Sequence, residues 1–192
     1  MKERISLVDK AHQLIAARLQ PGAIAIDATV GNGYDTLFLL RQVAPDGRVY
    51  GFDIQRSALA SAQAKIEAPA LRACLTLFDD SHARMDERIP KPHHGLISAV
   101  MFNLGYLPGG DKTVMTQAES TRAALAAACQ LLSPDGILTI VAYPGHAGGE
   151  HETEQVGHWC GALDSARFKV DRIHAKPSDP GAPRLFVVTR GG

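Results

Sequence analysis

The run A-I-A-I-D-A-T-V-G-N-G-Y-D-T, Ala23 to Thr36, decides the reading of this chain. Four apolar residues follow the Pro21-Gly22 breaker and close on Asp27, a length and flanking that favour a buried parallel strand over a helix. The Gly31-Asn32-Gly33 turn comes next, and Thr36 to Leu40 opens a helix. Strand, glycine turn and helix in this order begin a βαβ unit. Glycines let backbone pass close to a ligand, and a helix start offers N–H groups without intrahelical partners. The turn lacks the dinucleotide fingerprint G-x-G-x-x-G, because Thr36 stands where the third glycine belongs. It is not a P-loop either, since no Gly-Lys-Ser/Thr follows.

The alternation extends in both directions. Upstream, Val8, Ala11, Ile15 and Leu19 recur at helical spacing. Downstream, Val49 to Phe52 reads as a second strand, Ser57 to Ala68 as a helix, and Leu75 to Phe78 as a third strand. Pro90 to Gly95 is a loop, Leu96 to Phe102 a fourth strand, and Thr116 to Leu132 an alanine-rich helix. After the Pro134-Asp135-Gly136 turn come a fifth strand at Ile137 to Ala142 and a helix at His151 to Leu163. Phe168 to His174 and Leu185 to Thr189 are strands with no helix between them, which predicts an antiparallel pair at one edge. The fold class is α/β: a mainly parallel seven-stranded sheet with helices on both faces, in one domain spanning 1–192.

Composition bounds the function. The 192 residues are 45% hydrophobic and 21% charged, which suits a globular protein and excludes a disordered one. Twenty basic residues balance twenty acidic ones, which argues against a basic nucleic-acid coat or a polybasic membrane binder. The segment from Cys160 onward is locally net +3, which fits either phosphate contacts or ordinary solvated strand faces. Cys74, Cys129 and Cys160 are odd in number and form no C-x-x-C pair, so a reducing cytoplasm is the expected compartment. The N-terminus has no apolar h-region, and no run is long enough to span a bilayer. His93-His94 lacks a third ligand and reads as loop.

The chemistry should sit beyond the carboxyl ends of the strands. Those ends read Asp27, Asp53, Asp79-Asp80, Asn103 and Tyr143. Any one alone is accounted for as a helix cap or turn; five at one edge point to a site. Asp53 lies about 20 residues past the glycines, where an acid binds ribose hydroxyls. A nicotinamide dinucleotide and S-adenosylmethionine both fit that pattern. Asp80 can accept from an adenine amino group, or can cap a helix together with Ser81. Asn103 can accept an N–H and aim a nitrogen lone pair, and Tyr106 can stack on a base. His146, in the glycine loop after Tyr143, can serve as a general base or be a plain loop residue.

Five motifs carry a family resemblance: D-A-T-V-G-N-G-Y-D-T, F-D-I-Q at Phe52 to Gln55, D-S-H at Asp80 to His82, N-L-G-Y-L-P-G-G-D at Asn103 to Asp111, and Y-P-G-H-x-G-G-E at Tyr143 to Glu150. Together they resemble the small bacterial methyltransferases long labelled rRNA methylases, over nearly the whole chain. The resemblance implies a Rossmann-like class I methyltransferase fold and S-adenosylmethionine as cofactor. It implies a tRNA substrate, 5-aminomethyl-2-thiouridine at the wobble position, converted to the 5-methylaminomethyl form, and a homodimer.

By the same resemblance, Asp27, Thr29, Gly31, Asn32, Gly33, Asp35 and Thr36 belong to the loop that holds the cofactor's amino-acid end. Asp53 binds the ribose with Gln55 beside it, and Asp80 and Ser81 face the adenine. Asn103 lies nearest the transferred methyl, with Tyr106, Tyr143 and His146 on the acceptor side. His146 or Asp111 takes the proton. An rRNA base or a small amine is the alternative acceptor. A nicotinamide-dependent oxidoreductase is opposed by Thr36 and the terminal strand pair. A non-catalytic RNA-binding module is opposed by the neutral charge and the polar strand ends.

Overall fold

A computed structural model describes residues 6–105, 109, 115–176 and 178–192. The described chain begins with α1 (Leu7–Ala16), capped by the Ser6 hydroxyl, which accepts from the Asp9 N–H. Then come β1 (Ile24–Asp27), α2 (Tyr34–Val43), β2 (Arg48–Asp53), α3 (Arg56–Lys65), α4 (Pro69–Ala73) and β3 (Leu75–Asp79). The second half holds α5 (Met85–Arg88), β4 (Ile97–Asn103), α6 (Ala118–Leu131), β5 (Leu132–Ala142), α7 (Gly149–Gly161), β6 (Phe168–His174) and β7 (Arg184–Arg190). The strands form one sheet in the order β3-β2-β1-β4-β5-β7-β6. The first five are parallel, and β7 runs antiparallel to both β5 and β6.

Period-two alternation sorts the strand side chains between two apolar layers. Ala25, Val49, Ala99, Met101, Ile137 and Val187 face one layer, where Ala11 and Ile15 of α1 and Leu39, Leu40 and Val43 of α2 cover them. Ile26, Tyr50, Val100, Phe102, Leu138 and Phe186 face the other, covered by Met85, Leu125, Ala128, Val156 and Cys160 from α5, α6 and α7. Burial on both faces is what made the strands read as continuous apolar runs rather than alternating ones.

Several boundaries differ from the sequence reading. The Ser57 to Ala68 helix stops at Lys65, and Pro69, suited to a first helical turn, starts the short α4. The Pro90 to Gly95 loop contains a 3-10 turn at Lys91–His93. The Pro134-Asp135-Gly136 turn lies inside β5: Leu132 already pairs with Ile97, and the register slips before Ile137 meets Ala99. Asp135, at φ 60°, absorbs that irregularity.

The chain leaves β1 toward β2 and β3, then returns from β3 to the other side of β1 as β4. Strand order therefore reverses between β1 and β4, where a crevice opens at the carboxyl edge. Gly33 lies behind that crevice, packed on α3. It has φ +77°, and a Cβ there would lie 2.6 Å from the Ala62 Cα in α3. Gly33→Ala adds left-handed backbone strain to a backbone clash, and we expect it to destabilise the fold by about 2–4 kcal/mol. Urea unfolding of the two proteins measures this.

Candidate active site

A cleft of about 1110 Å³ occupies the crevice. That volume accommodates a nucleoside cofactor with room beside it for an acceptor. Its walls come from the ends of β1, β2, β3, β4 and β5. Of the residues singled out in the sequence, Thr29, Gly31, Asn32, Asp35, Asp53, Gln55, Asp80, Ser81, Asn103, Tyr143 and His146 line it. Asp27, Gly33 and Thr36 lie behind the wall, all buried. Tyr106 and Asp111 lie outside the described residues.

Asp27 is fully buried. Its Oδ1 accepts from the Thr29 N–H at 3.1 Å, and its Oδ2 from the Thr36 hydroxyl at 2.6 Å. It is thus a brace for the loop. The Thr29 Oγ1 in turn accepts the Asn103 N–H at 2.7 Å, which ties the exit of β4 to that of β1. Asp53 sits half-buried at the end of β2, accepting from Gly31 N–H at 2.9 Å and Gln55 N–H at 2.8 Å. A carboxylate has about four lone-pair directions, so Asp53 retains capacity for ribose hydroxyls. Phe52 and the exposed Ile54 give the cleft an apolar wall beside it.

The third strand end carries a network of its own. Asp79 is exposed and pairs with Arg56 at 2.5 Å. Asp80 lines the cleft, but its Oδ2 accepts from Arg84 at 3.0 Å and from Arg88 at 2.6 Å, while its Oδ1 accepts the Ser81 N–H. Its partial burial is outweighed by these arginines and the Ser81 N–H, which hold its carboxyl below the usual carboxylate range. The Ser81 hydroxyl accepts from Ala83 N–H and caps a 3-10 turn at His82–Arg84. For Ser81, the capping alternative raised from the sequence holds.

The wall expected to face an acceptor comes from β4, β5 and α7. Burial, then the charge of Asp35, pushes the half-buried Tyr143 phenol up. His146 Nδ1 donates to Ala147 O at 3.0 Å, and the ring packs beside Gly149. Three residues escaped the sequence reading. Glu152, buried in α7, accepts from the hydroxyls of Thr116 at 2.7 Å and Thr121 at 2.6 Å, and Thr116 holds the Gly105 N–H. It shares the buried stripe of Val156 and Cys160, and a charge on an apolar stripe was its available signal. His82 donates to Ala28 O, and burial keeps it below the usual histidine range. His12 of α1 stacks on Phe38 at 3.9 Å and donates to Asp35 at 2.6 Å.

Three carboxylates line the cleft, with Asp27 behind them, and among the described residues no lysine or arginine does. That favours a cationic ligand such as a sulfonium. It disfavours the pyrophosphate of a nicotinamide dinucleotide, which would meet the charge of Asp35 and Asp53.

Residues 49–189 match the family model described as "Putative rRNA methylase". The chain belongs to that family. It is 38% identical over 161 residues to the chloroplastic tRNA (mnm(5)s(2)U34)-methyltransferase of Arabidopsis thaliana, covering 80% of this chain and 58% of that protein. The chain therefore spans under two thirds of that relative's length. A solved structure from Clostridium thermocellum, described as a putative rRNA-methylase, superposes with TM-score 0.89 at 38% identity, covering 95% of this chain and 96% of that one. One from Streptococcus mutans, described as a putative methyltransferase in complex with SAH, gives TM-score 0.84 at 30% identity and covers 99% of both chains. The sheet order and these likenesses establish the Rossmann-like methyltransferase fold expected from the sequence.

Within this rRNA-methylase fold Asp27 stands out electrostatically. Burial, then the charge of Asp35, raises its carboxyl from 3.8 to about 7, against the pull of the Thr36 and Thr29 bonds. Between those values the folded protein keeps a proton that the unfolded chain has released, so stability falls as pH rises through that window. Asp27→Asn can still accept from Thr29 and donate to Thr36, but does not titrate. From about pH 5 to about pH 7.5 the wild type should lose about 2 kcal/mol relative to Asp27→Asn. Urea midpoints at both pH values measure the difference.

Proposed function

We propose that the chain is a cytoplasmic, single-domain S-adenosylmethionine-dependent RNA methyltransferase. It N-methylates 5-aminomethyl-(2-thio)uridine at the tRNA wobble position to the 5-methylaminomethyl form. The observation that carries this reading is the acidic cleft with Asn103 at its centre, at the switch between β1 and β4. The name of the Arabidopsis relative and the SAH complex of the Streptococcus structure support it. No helix of the described residues is long and apolar enough to cross a membrane.

The residues present fit the cofactor. In this reading Thr29, Gly31 and Asn32 hold its amino-acid end. Asp53 takes the ribose hydroxyls, with Gln55 and Ile54 beside it, and Asp80, held by its arginines, closes the adenine end. Asp27, Gly33 and Thr36 shape the loop from behind. When bound, the cofactor supplies an electrophilic methyl on a sulfonium, which the acceptor nitrogen takes as the carbon–sulfur electron pair returns to sulfur. Asn103 holds the nitrogen and aims its lone pair, while Tyr143 and His146 wall the acceptor side and exclude water. Positioning of this kind contributes much of the rate in a direct displacement.

Mass spectrometry of nucleosides tests the reading. Purified protein and S-adenosylmethionine are incubated separately with tRNA and rRNA from cells lacking this gene. A methyl gain on 5-aminomethyl-2-thiouridine in the tRNA pool is expected; a gain only in rRNA, or in neither, overturns the reading. Asn103→Ala should lower turnover about 100-fold while cofactor affinity changes less than about fivefold, since it removes positioning rather than the cofactor site. Steady-state kinetics and calorimetry provide the two numbers.

A further inference from the structure

The acceptor amine raises a problem that Asn103 does not solve. An alkylamine, like a lysine, is mostly protonated at neutral pH, and a protonated nitrogen has no lone pair to offer. A base must sit within hydrogen-bond reach of the nitrogen. His146, whose Nδ1 donates to Ala147 O, is one candidate on the cleft wall. One carboxylate sits next to Asn103 itself. The Asp35 Oδ2 lies 3.5 Å from the Asn103 Nδ2, a slack contact that an entering N–H can displace. Its Oδ1 accepts from His12 Nε2 at 2.6 Å.

We propose that Asp35 receives the proton of the acceptor ammonium, and that His12 is the positioning residue that fixes its carboxylate. The proposal rests on the methyltransferase reading above. One N–H bond of the ammonium breaks and an O–H bond forms at Asp35 Oδ2. The electron pair left on nitrogen becomes the nucleophile, and the proton leaves to solvent when product departs.

His12 is well placed for this. Its ring lies flat on Phe38, 8° from parallel, so the ring plane is fixed independently of Asp35. Val8, one helical turn earlier, lines the cleft, so α1 is part of its wall. Asp35 is nearly buried in the first turn of α2, where the helix dipole favours an anion. The titratable groups set around it are His12 from α1, Asp27 from β1 and Tyr143 beyond β5.

The test uses a synthetic anticodon stem-loop bearing 5-aminomethyl-2-thiouridine and the same hairpin bearing uridine. Asp35→Asn should slow single-turnover methylation about 100-fold or more, while the Kd for S-adenosylmethionine stays within about threefold. Its rate should climb about tenfold per pH unit between about pH 7 and pH 9, as solvent takes over the deprotonation, more steeply than wild type. Its binding preference for the amine hairpin over the uridine hairpin should disappear. His12→Phe keeps the stack and loses the donor, and should slow the reaction about tenfold; His12→Gln keeps a donor and should restore part of the rate.

Wild-type protein that methylates no RNA amine overturns both the functional reading and this proposal. Active wild type with an equally active Asp35→Asn overturns the proposal alone. A loss confined to cofactor affinity also overturns it, and assigns Asp35 to the cofactor's ammonium instead. Should Asp35→Asn not fold, the two His12 variants decide: equal rates in both, matching wild type, overturn the proposal.

Discussion

The buried carboxylate of Asp27 is the constraint on which the site depends. It ends β1, the strand at which the order of the sheet reverses, and no solvent reaches it. An acid there must be satisfied from its own loop, and it is, by one backbone N–H and one hydroxyl. Those two bonds fix the path from Ala28 to Thr36. Thr29, so placed, receives the Asn103 N–H from the neighbouring strand end. The glycine loop and the exit of β4 at Asn103 are therefore set by one polar group. A carboxyl raised to about 7 is the energetic cost of that arrangement.

Much of the architecture was legible because its determinants are local. Apolar runs closed by acids or Asn mark strands buried on both faces, and glycine or Pro-Gly turns separate them. The terminal strand pair was legible because no helix-length segment lies between its members. The strand boundary at β5 was not, since Pro134-Asp135-Gly136 reads as a turn by composition. Only pairing with β4 draws Leu132 into the sheet ahead of it.

The site residues divide along the same line. Asp53 and Asn103 were found because a strand end is a position in sequence as well as in space. Asp80 was legible from strand-end logic alone, but its hold by Arg84 and Arg88, four and eight residues on at helical spacing, was not read. His12 could not be found that way. Its partner lies 23 residues away on another helix, and within α1 it is one polar residue beside the apolar stripe. The basic C-terminal segment makes contacts within the fold. Arg172 and Arg190 donate to backbone carbonyls, and Lys169 pairs with Asp171.

The charge of the cleft and the charge of RNA together restrict what can react. Asp35 and Asp53 at the cleft wall repel phosphate, while Asp80 is offset by Arg84 and Arg88. Under the proposed function a nucleic-acid backbone stays outside, while a single nucleoside swings inward, as enzymes that modify bases require. Of RNA's own groups, the bases are neutral and the backbone anionic, so neither draws on the acidic wall. An aminomethyl substituent does: it is a cation on a flexible arm, and the acids attract it in the form in which it arrives. The same acids must then release it uncharged, because only the free amine can take a methyl. In the proposed reaction attraction and deprotonation are thus two uses of one negative field, and an aminomethylated nucleoside is an RNA acceptor that calls on both.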